Sequence, residues 1–243
     1  EPLTAENTLR AGDTVTGLTG ALLYNFEEYR VHPLAPVDFS PANPRPETPP
    51  ADGRLTVAGF NLGNYFTTVD EGGATCGPLN NAECRGADSD YEFTRQRRKL
   101  IAALTAPAAD LVGLVEVENT PRETVADLVA GLNDQDGEGA WAYLDTGTIG
   151  GSVIRAALIY RPDRLTPVGD PAILNDHVDP SFNDGKNRPV LAQTFDETDT
   201  GHRFTVAVCH LKSKDSPCDD IGDPDMGDGQ GNCNRTRTAA AEA

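Results

Sequence analysis

Three polar residues stand where apolar runs of the sequence break off. Asn61 closes RLTVAGFN, Glu116 interrupts ADLVGLVEVEN, and His210 ends RFTVAVCH before a Lys-Ser-Lys loop. Each also has an ordinary reading, as a turn former, a solvent-facing strand residue and a satisfied histidine. Their shared position at strand ends carries the weight, because open sheets gather ligand sites there. No Ser or Cys nucleophile motif accompanies them, so covalent catalysis is not indicated. A carboxylate set among Leu and Val is costly to bury unless it is paired or binds a metal. Glu116 and Asn61 suit Mg²⁺ or Mn²⁺, a hard cation that takes one or two carboxylates and completes its shell with water and phosphate oxygens. His210, one of 4 histidines, can move a proton near neutrality. Arg155 and Arg188 offer planar forks for phosphate, and Lys212 and Lys214 add cations beside His210. The set predicts metal-assisted attack of water on a phosphodiester, with His210, Glu116 and Asn61 at the chemistry and Arg188, Arg155 and Lys212 on phosphate.

The elements that position these residues begin at Arg54. RLTVAGFN reads as a strand, and YEFTRQRRKLIAALTA as a helix with Phe93, Leu100, Ile101 and Leu104 at helical spacing. ADLVGLVEVEN reads as a strand buried on both faces. TPRETVADLVAGLND opens with Thr120 as N-cap, Pro121 at the first helical position and Glu123 at capping-box spacing. Strands follow near 141–145, 152–161, 189–196 and 203–210, and a helix starts around Arg235. This order predicts an α+β layered sandwich over 54–243. Residues 1–53 differ: TVTGLTGALLYNFEEYRVHPL reads as two short strands around a turn, and PVDFSPANPRPETPPADG as a Pro-rich linker. A strand pair that small must pack on the main domain or be the tail of a preceding one.

With 243 residues the chain can bury a real core, and no run approaches the ~18 apolar residues of a membrane helix. The net charge of −18 argues against a non-specific nucleic-acid binder with a basic face, yet a cleft can differ in sign from the average surface. Four of the 5 cysteines form two close pairs, Cys76/Cys84 and Cys218/Cys233, each around a Gly-, Asn- or Asp-rich loop. Disulfides fit, which implies an oxidising compartment; zinc is the alternative, without CxxC spacing or a nearby histidine to support it. Cys209, inside an apolar strand, is expected to be a buried free thiol. The loop from Asp215 to Asp228 gathers Asp219, Asp220, Asp223, Asp225 and Asp228, either as a solvated acidic loop or as a Ca²⁺ site.

Six segments in order, FNLGNYF, RGADSDYEFTRQRRKLIAAL, ADLVGLVEVEN, IRAALIYRP, NRPVLAQTF and HLKSKDSPC…GDGQGNCNRTRTAAAEA, resemble the extracellular bacterial nucleases of the endonuclease/exonuclease/phosphatase superfamily, the DNase I-like fold. The resemblance runs from about Arg54 to Ala243. It implies a four-layer α/β/β/α sandwich, two sheets face to face with helices outside. It also implies Asn61 and Glu116 at the metal, Arg188 on phosphate, His210 beside the scissile phosphate and a basic residue at Arg155. Cysteine pairs recur in such secreted nucleases, and the N-terminal strands resemble the end of a small β-rich domain that often precedes the nuclease domain.

The family closes its site with a later Asp-x-Asn strand end and a final Asp-His pair, and neither stands in its expected place here. Asp176 and His177 precede the His210 strand and read as loop. The sandwich is therefore expected to be incomplete in this chain and inactive or nearly so alone: either a second chain supplies the C-terminal half, or the protein was clipped, or the sequence is a fragment. The expected function is a secreted, extracellular or periplasmic Mg²⁺- or Mn²⁺-dependent nuclease, on DNA in preference to RNA by family association. Alternatives are a phosphatase on a small or lipid phosphoester and a non-catalytic nuclease-like scaffold.

Overall fold

A computed structural model describes residues 9–44 and 53–243, so the 45–52 part of the Pro-rich linker lies outside the described residues. The chain divides into two compact units, Glu1–Pro50 and Ala51–Ala243. The first holds an antiparallel hairpin, β1 (Gly20–Asn25) and β2 (Glu28–Pro33). Its two-residue turn, Phe26-Glu27, has φ of 50° and 61°, the doubly left-handed geometry whose twist matches that of the strands.

In the second unit, β3 (Val57–Tyr65) leads through β4 (Thr75–Cys76) and β5 (Ala82–Glu83) into α1 (Asp90–Thr105). The β4–β5 ladder is two residue pairs long and is held by the Cys76–Cys84 disulfide, Cα–Cα 5.0 Å. Ser89 caps α1 by accepting the Glu92 amide, and Leu100, Ile101 and Leu104 form its buried stripe. The chain continues through β6 (Leu111–Glu118), α2 (Glu123–Asp136), β7 (Ala142–Tyr143) and β8 (Ile154–Tyr160). These strands form one sheet in the order β3-β6-β8-β7, with β3 and β6 parallel, as strands joined through a helix can be. The second sheet, β11-β10-β9, is antiparallel throughout: β9 (Leu165–Leu174), β10 (Arg188–Glu197) and β11 (Arg203–His210).

Alternation along β6 and β8 builds two cores from one sheet. Val112, Leu114, Ala157 and Ile159 pack under α1 and α2 with Leu104, Leu128 and Leu132. Leu111, Ala156 and Leu158 face the other way, onto Leu191, Phe195 and Val208 of the second sheet. Gly113 lies where the sheets approach closely, since a Cβ there would meet Val208 Cγ2 at 2.9 Å. On the outer face of the second sheet, Val190 and Leu174 pack with Ala240 of α3 (Asn234–Glu242). The fold is thus an α+β sandwich layered helix, sheet, sheet, helix, as expected. Tyr65 ties three elements together: its hydroxyl donates to Asp127 of α2 at 2.5 Å, and Arg97 of α1 donates to the same carboxylate at 2.8 Å.

Several local expectations need correction. β9 is absent from the sequence reading because Pro167, Gly169 and Pro171 break its pattern; it forms at a sheet edge, where a missing N–H costs no ladder bond. α2 starts at Glu123 rather than Pro121, because Thr120 Oγ1 donates to Thr124 Oγ1 and accepts the Thr124 amide at 3.2 Å, while Arg122 takes the cap position. Cys209 is exposed, since Val206 and Val208 take the inward face of β11 and Cys209 points outward with Ala207. Cys218–Cys233, by contrast, is a disulfide as expected, with Cα–Cα 5.3 Å. Asp219, Asp223, Asp225 and Asp228 do not converge, and no group of three His, Cys, Asp or Glu suited to a metal exists among the described residues. Asp223 instead binds the start of α3, accepting from the Thr236 amide and hydroxyl at 2.8 Å each. These bonds, the Thr236 amide foremost, hold its pKa down to about 2. Asp225 and Asp228 close turns onto Gly227 and Gln230, and Asp220 pairs with Lys186.

Candidate active site

The parallel ladder between β3 and β6 is regular from Val57↔Leu111 to Asn61↔Val115 and then skips to Tyr65↔Val117. Gly63 and Asn64 in β3 and Glu116 in β6 absorb the slip, all in the left-handed region with φ of 64°, 60° and 62°. The facing ladder of β6 with β8 slips at the same place, between Leu114 and Val117. Such a bulge re-aims a side chain that regular alternation would bury. Val117 packs under the helices beside Val112 and Leu114, and Glu116 is turned out of the alternation with 20% of its side chain exposed.

The re-aimed carboxylate is held by two hydrogen bonds. Asn61 Nδ2 donates to Glu116 Oε1 at 3.0 Å, and the Asn64 amide donates to Oε2 at 3.1 Å. Asn61 Oδ1 in turn accepts the Gly63 amide at 2.8 Å, and Gln96 of α1 donates to the Gly63 and Asn64 carbonyls. From the second sheet, His210 Nε2 lies 3.8 Å from Glu116 Oε1. His210 and Arg188 are direct cross-strand partners at one end of the β10–β11 ladder. The site therefore joins the two sheets at one rim, with Asn61 and Glu116 from one and His210 and Arg188 from the other.

Two polar atoms at this rim are buried without a partner among the described residues, His210 Nδ1 and Arg188 Nε. Burial, and next the Arg188 charge, hold the His210 imidazole below its ordinary 6.5, with Glu116 opposing. Burial and then Arg85 act the same way on Arg188. The folded protein thus binds fewer protons at His210 than the unfolded chain does. The stability this contributes is present above about pH 6.5 and is lost as pH falls toward the folded midpoint. In chelator, NMR titration of the His210 ring is expected to give a midpoint below 6.5, and Arg188→Gln to move it upward. A midpoint at or above 6.5 in the unmodified protein contradicts the burial seen at this rim.

Lys212 follows on the loop, its amide donating to the buried Asn187 side chain at 3.0 Å. The structure does not bring Arg155 to this cluster. It is 1% exposed, in step with Ala157 and Ile159 on the helix-facing side of β8, and donates to Thr146 Oγ1 and the Ala156 carbonyl. Strand parity, invisible in a lone Arg beside an apolar run, decides this. Asp176 and His177 pair with each other at 2.7 Å on an exposed loop.

The chain matches no protein-family model and no curated protein sequence. It aligns with parts of several solved structures. An endonuclease/exonuclease/phosphatase family protein from Bacteroides thetaiotaomicron is 18% identical over 65% of this chain and 50% of its own, with a TM-score of 0.42. An endonuclease/exonuclease/phosphatase from Bacteroides vulgatus is 20% identical over 64% of this chain and 51% of its own, with a TM-score of 0.40. The human Nocturnin catalytic domain, solved with a bound sulfate anion, is 17% identical over 51% and 45%, with a TM-score of 0.36. The chain spans about half the length of these structures.

Sequence reasoning missed four contributors. Asn64 and Gln96 set the bulge, and Arg85 and Lys186 line the depression beside Arg188 and Lys212. Gly63-Asn64 inside a strand was a usable signal, since Gly and Asn tolerate positive φ best. Glu118 was also missed. It lies 1% exposed, and its Oε2 accepts from the Thr67 amide and hydroxyl, the Thr68 amide and the Thr124 hydroxyl.

Proposed function

We propose that this rim is the phosphodiester-cleaving site of a secreted, divalent-metal-dependent nuclease acting on DNA in preference to RNA. The observation that carries the reading is Glu116, a non-glycine residue in a left-handed bulge, aimed beside Asn61 and toward His210. Strained backbone of this kind persists where the surrounding structure overrides it, and it clusters at functional sites. The fit to a hard cation rests on the Glu116 carboxylate, since the partly exposed rim leaves room for water, while Asn61 turns its Nδ2 to Glu116 and its Oδ1 to the Gly63 amide and so orients that carboxylate. When bound there, Mg²⁺ or Mn²⁺ would polarise a phosphoryl oxygen and neutralise developing charge.

The chain's own residues supply the remaining functions. Arg188 lines the depression beside Lys212, so its guanidinium is placed to hold a non-bridging phosphate oxygen there, and Lys212 adds a second cation. His210, mostly neutral at pH 7, can accept a proton as the water oxygen bonds to phosphorus and the bond to the leaving oxygen breaks. Asn61 fixes the Glu116 carboxylate in one orientation. Two disulfides among the described residues support the secreted setting.

The test is nicking of supercoiled plasmid with Mg²⁺ or Mn²⁺ against a chelated control, with Mn²⁺ affinity measured by titration on the same material. Metal-dependent nicking is expected when the chain is mixed with a C-terminal half carrying the family's Asp-x-Asn and Asp-His groups, along with weaker Mn²⁺ binding by this chain in Glu116→Gln. Nicking that persists under chelation sinks the metal mechanism. Absence of nicking together with unchanged Mn²⁺ affinity in Glu116→Gln sinks the site.

A further inference from the structure

Arg85 lines two neighbouring depressions, one on each side of the rim. The smaller, about 280 Å³, is walled by Gly63 and Asn64 of the bulge and carries Arg95 and Lys99 of α1. The larger, about 480 Å³, carries Lys186, Arg188 and Lys212. The Asn64 amide binds Glu116, and the cross-strand partner of Arg188 is His210, so the Asn61–Glu116 pair adjoins both. One acidic residue lines each depression, Glu92 in the first and Asp184 in the second.

Six cations thus follow one surface of a chain whose net charge is −18. Lys186 pairs with Asp220 at 2.7 Å; among the described residues the other five make no ion pair. Burial first, then Arg188, Lys186 and Arg85, push the Lys212 ammonium toward its neutral form, with Asp220 opposing. The backbone beside Arg85 is fixed. Cys84 is in a disulfide, and Gly86 packs so closely on Phe66 that a Cβ would meet its Cβ at 2.5 Å. Nothing in the packing calls for unpaired like charges here, whereas a run of phosphates would satisfy all of them. A single phosphate would need only Arg188 and Lys212.

We propose that Arg95 and Lys99 on one side, Arg188 and Lys212 on the other, and Arg85 shared between them form a track for the successive phosphates of a polynucleotide strand passing over the Asn61–Glu116 pair. This rests on the phosphodiesterase reading of that pair and narrows its substrate to chains of several nucleotides, as against a small phosphomonoester. With screening over about 8–10 Å at physiological salt, the local track outweighs the distant acidic surface. Affinity then comes from counterion release and falls steeply with salt.

The probe is a fluorescein-labelled oligothymidylate of about 12 nucleotides, near the middle of known single-strand site sizes, bound to the full chain in chelator across a salt series. Arg85→Gln is expected to bind more weakly and to flatten the log–log salt slope by about 0.7, and Arg95→Gln/Lys99→Gln by about 1.4. Arg85, Arg95 and Lys99 are exposed, so unchanged unfolding midpoints check that the variants fold. No binding by the unmodified chain, or unmodified affinity and slope in both variants, overturns the track. A loss confined to Arg188→Gln overturns it too, leaving a single-phosphate site. Failure of the site reading is separately visible: Glu116→Gln would then nick plasmid normally while Arg85→Gln still flattened the slope.

Discussion

Glu116→Gln is expected to lower metal-dependent plasmid nicking by about 10³-fold, the scale of losing a principal electrostatic group at a reacting phosphate. The substitution keeps the side-chain shape and one oxygen to accept from Asn61 or the Asn64 amide, so the melting temperature should fall by only about 2–4 °C, the scale of one lost hydrogen bond. Glu116→Gly sharpens the test. At φ of 62° a non-glycine residue costs on the order of 1–3 kcal/mol, which glycine relieves, while the lost hydrogen bonds to Asn61 and Asn64 return about 1 kcal/mol each. The Gly protein should therefore be about as stable as the unmodified one and equally inactive. That pairing, activity lost without stability lost, is what a position held strained for chemistry predicts. Activity above a tenth of normal in either variant would remove Glu116 from the reaction.

Glu118→Ala is expected to cost about 3 kcal/mol in urea unfolding. Two positions along the same strand, Glu118 does a different job: one buried oxygen takes four donors from β6's neighbours, at 2.8 to 3.1 Å. Hydrogen bonds to a charged group are worth about 1.5–3 kcal/mol, and stranding their donors costs more than the pair returned when intact. Alanine strands the Thr67 and Thr68 amides just past the bulge, whereas Glu118→Gln keeps an acceptor and should cost roughly half as much. Because those amides lie two and three residues after Tyr65, at the end of β3, the alanine variant should also lose activity through displacement of Asn61 and Asn64. A destabilisation under about 1 kcal/mol would mean that water replaces the carboxylate without loss.

Much of the fold was legible in the residues themselves. Apolar runs of the right length marked β3, β6, β8, β10 and β11, the helical spacing of Leu100, Ile101 and Leu104 marked α1, and Asn61, Glu116 and His210 stood out as polar residues at strand ends. Burial and period are local properties, and local sequence encodes them. The edge strand β9 was hidden because its prolines are tolerated only by virtue of where the strand lies. Arg155 and Cys209 were misplaced for a related reason: which face a residue takes depends on the partner sheet and on parity, and a bulge resets parity without leaving a mark in composition. The sequence by itself determined which groups were available for chemistry and which runs would become strands and helices. Only the tertiary structure decided that Glu116 turns out of its strand, that His210 meets it from another sheet, and that Arg85, next to a disulfide-bonded cysteine, stands beside Arg188. Those are contacts between segments tens to more than a hundred residues apart, set by ladder register and sheet packing, for which no short-range pattern exists.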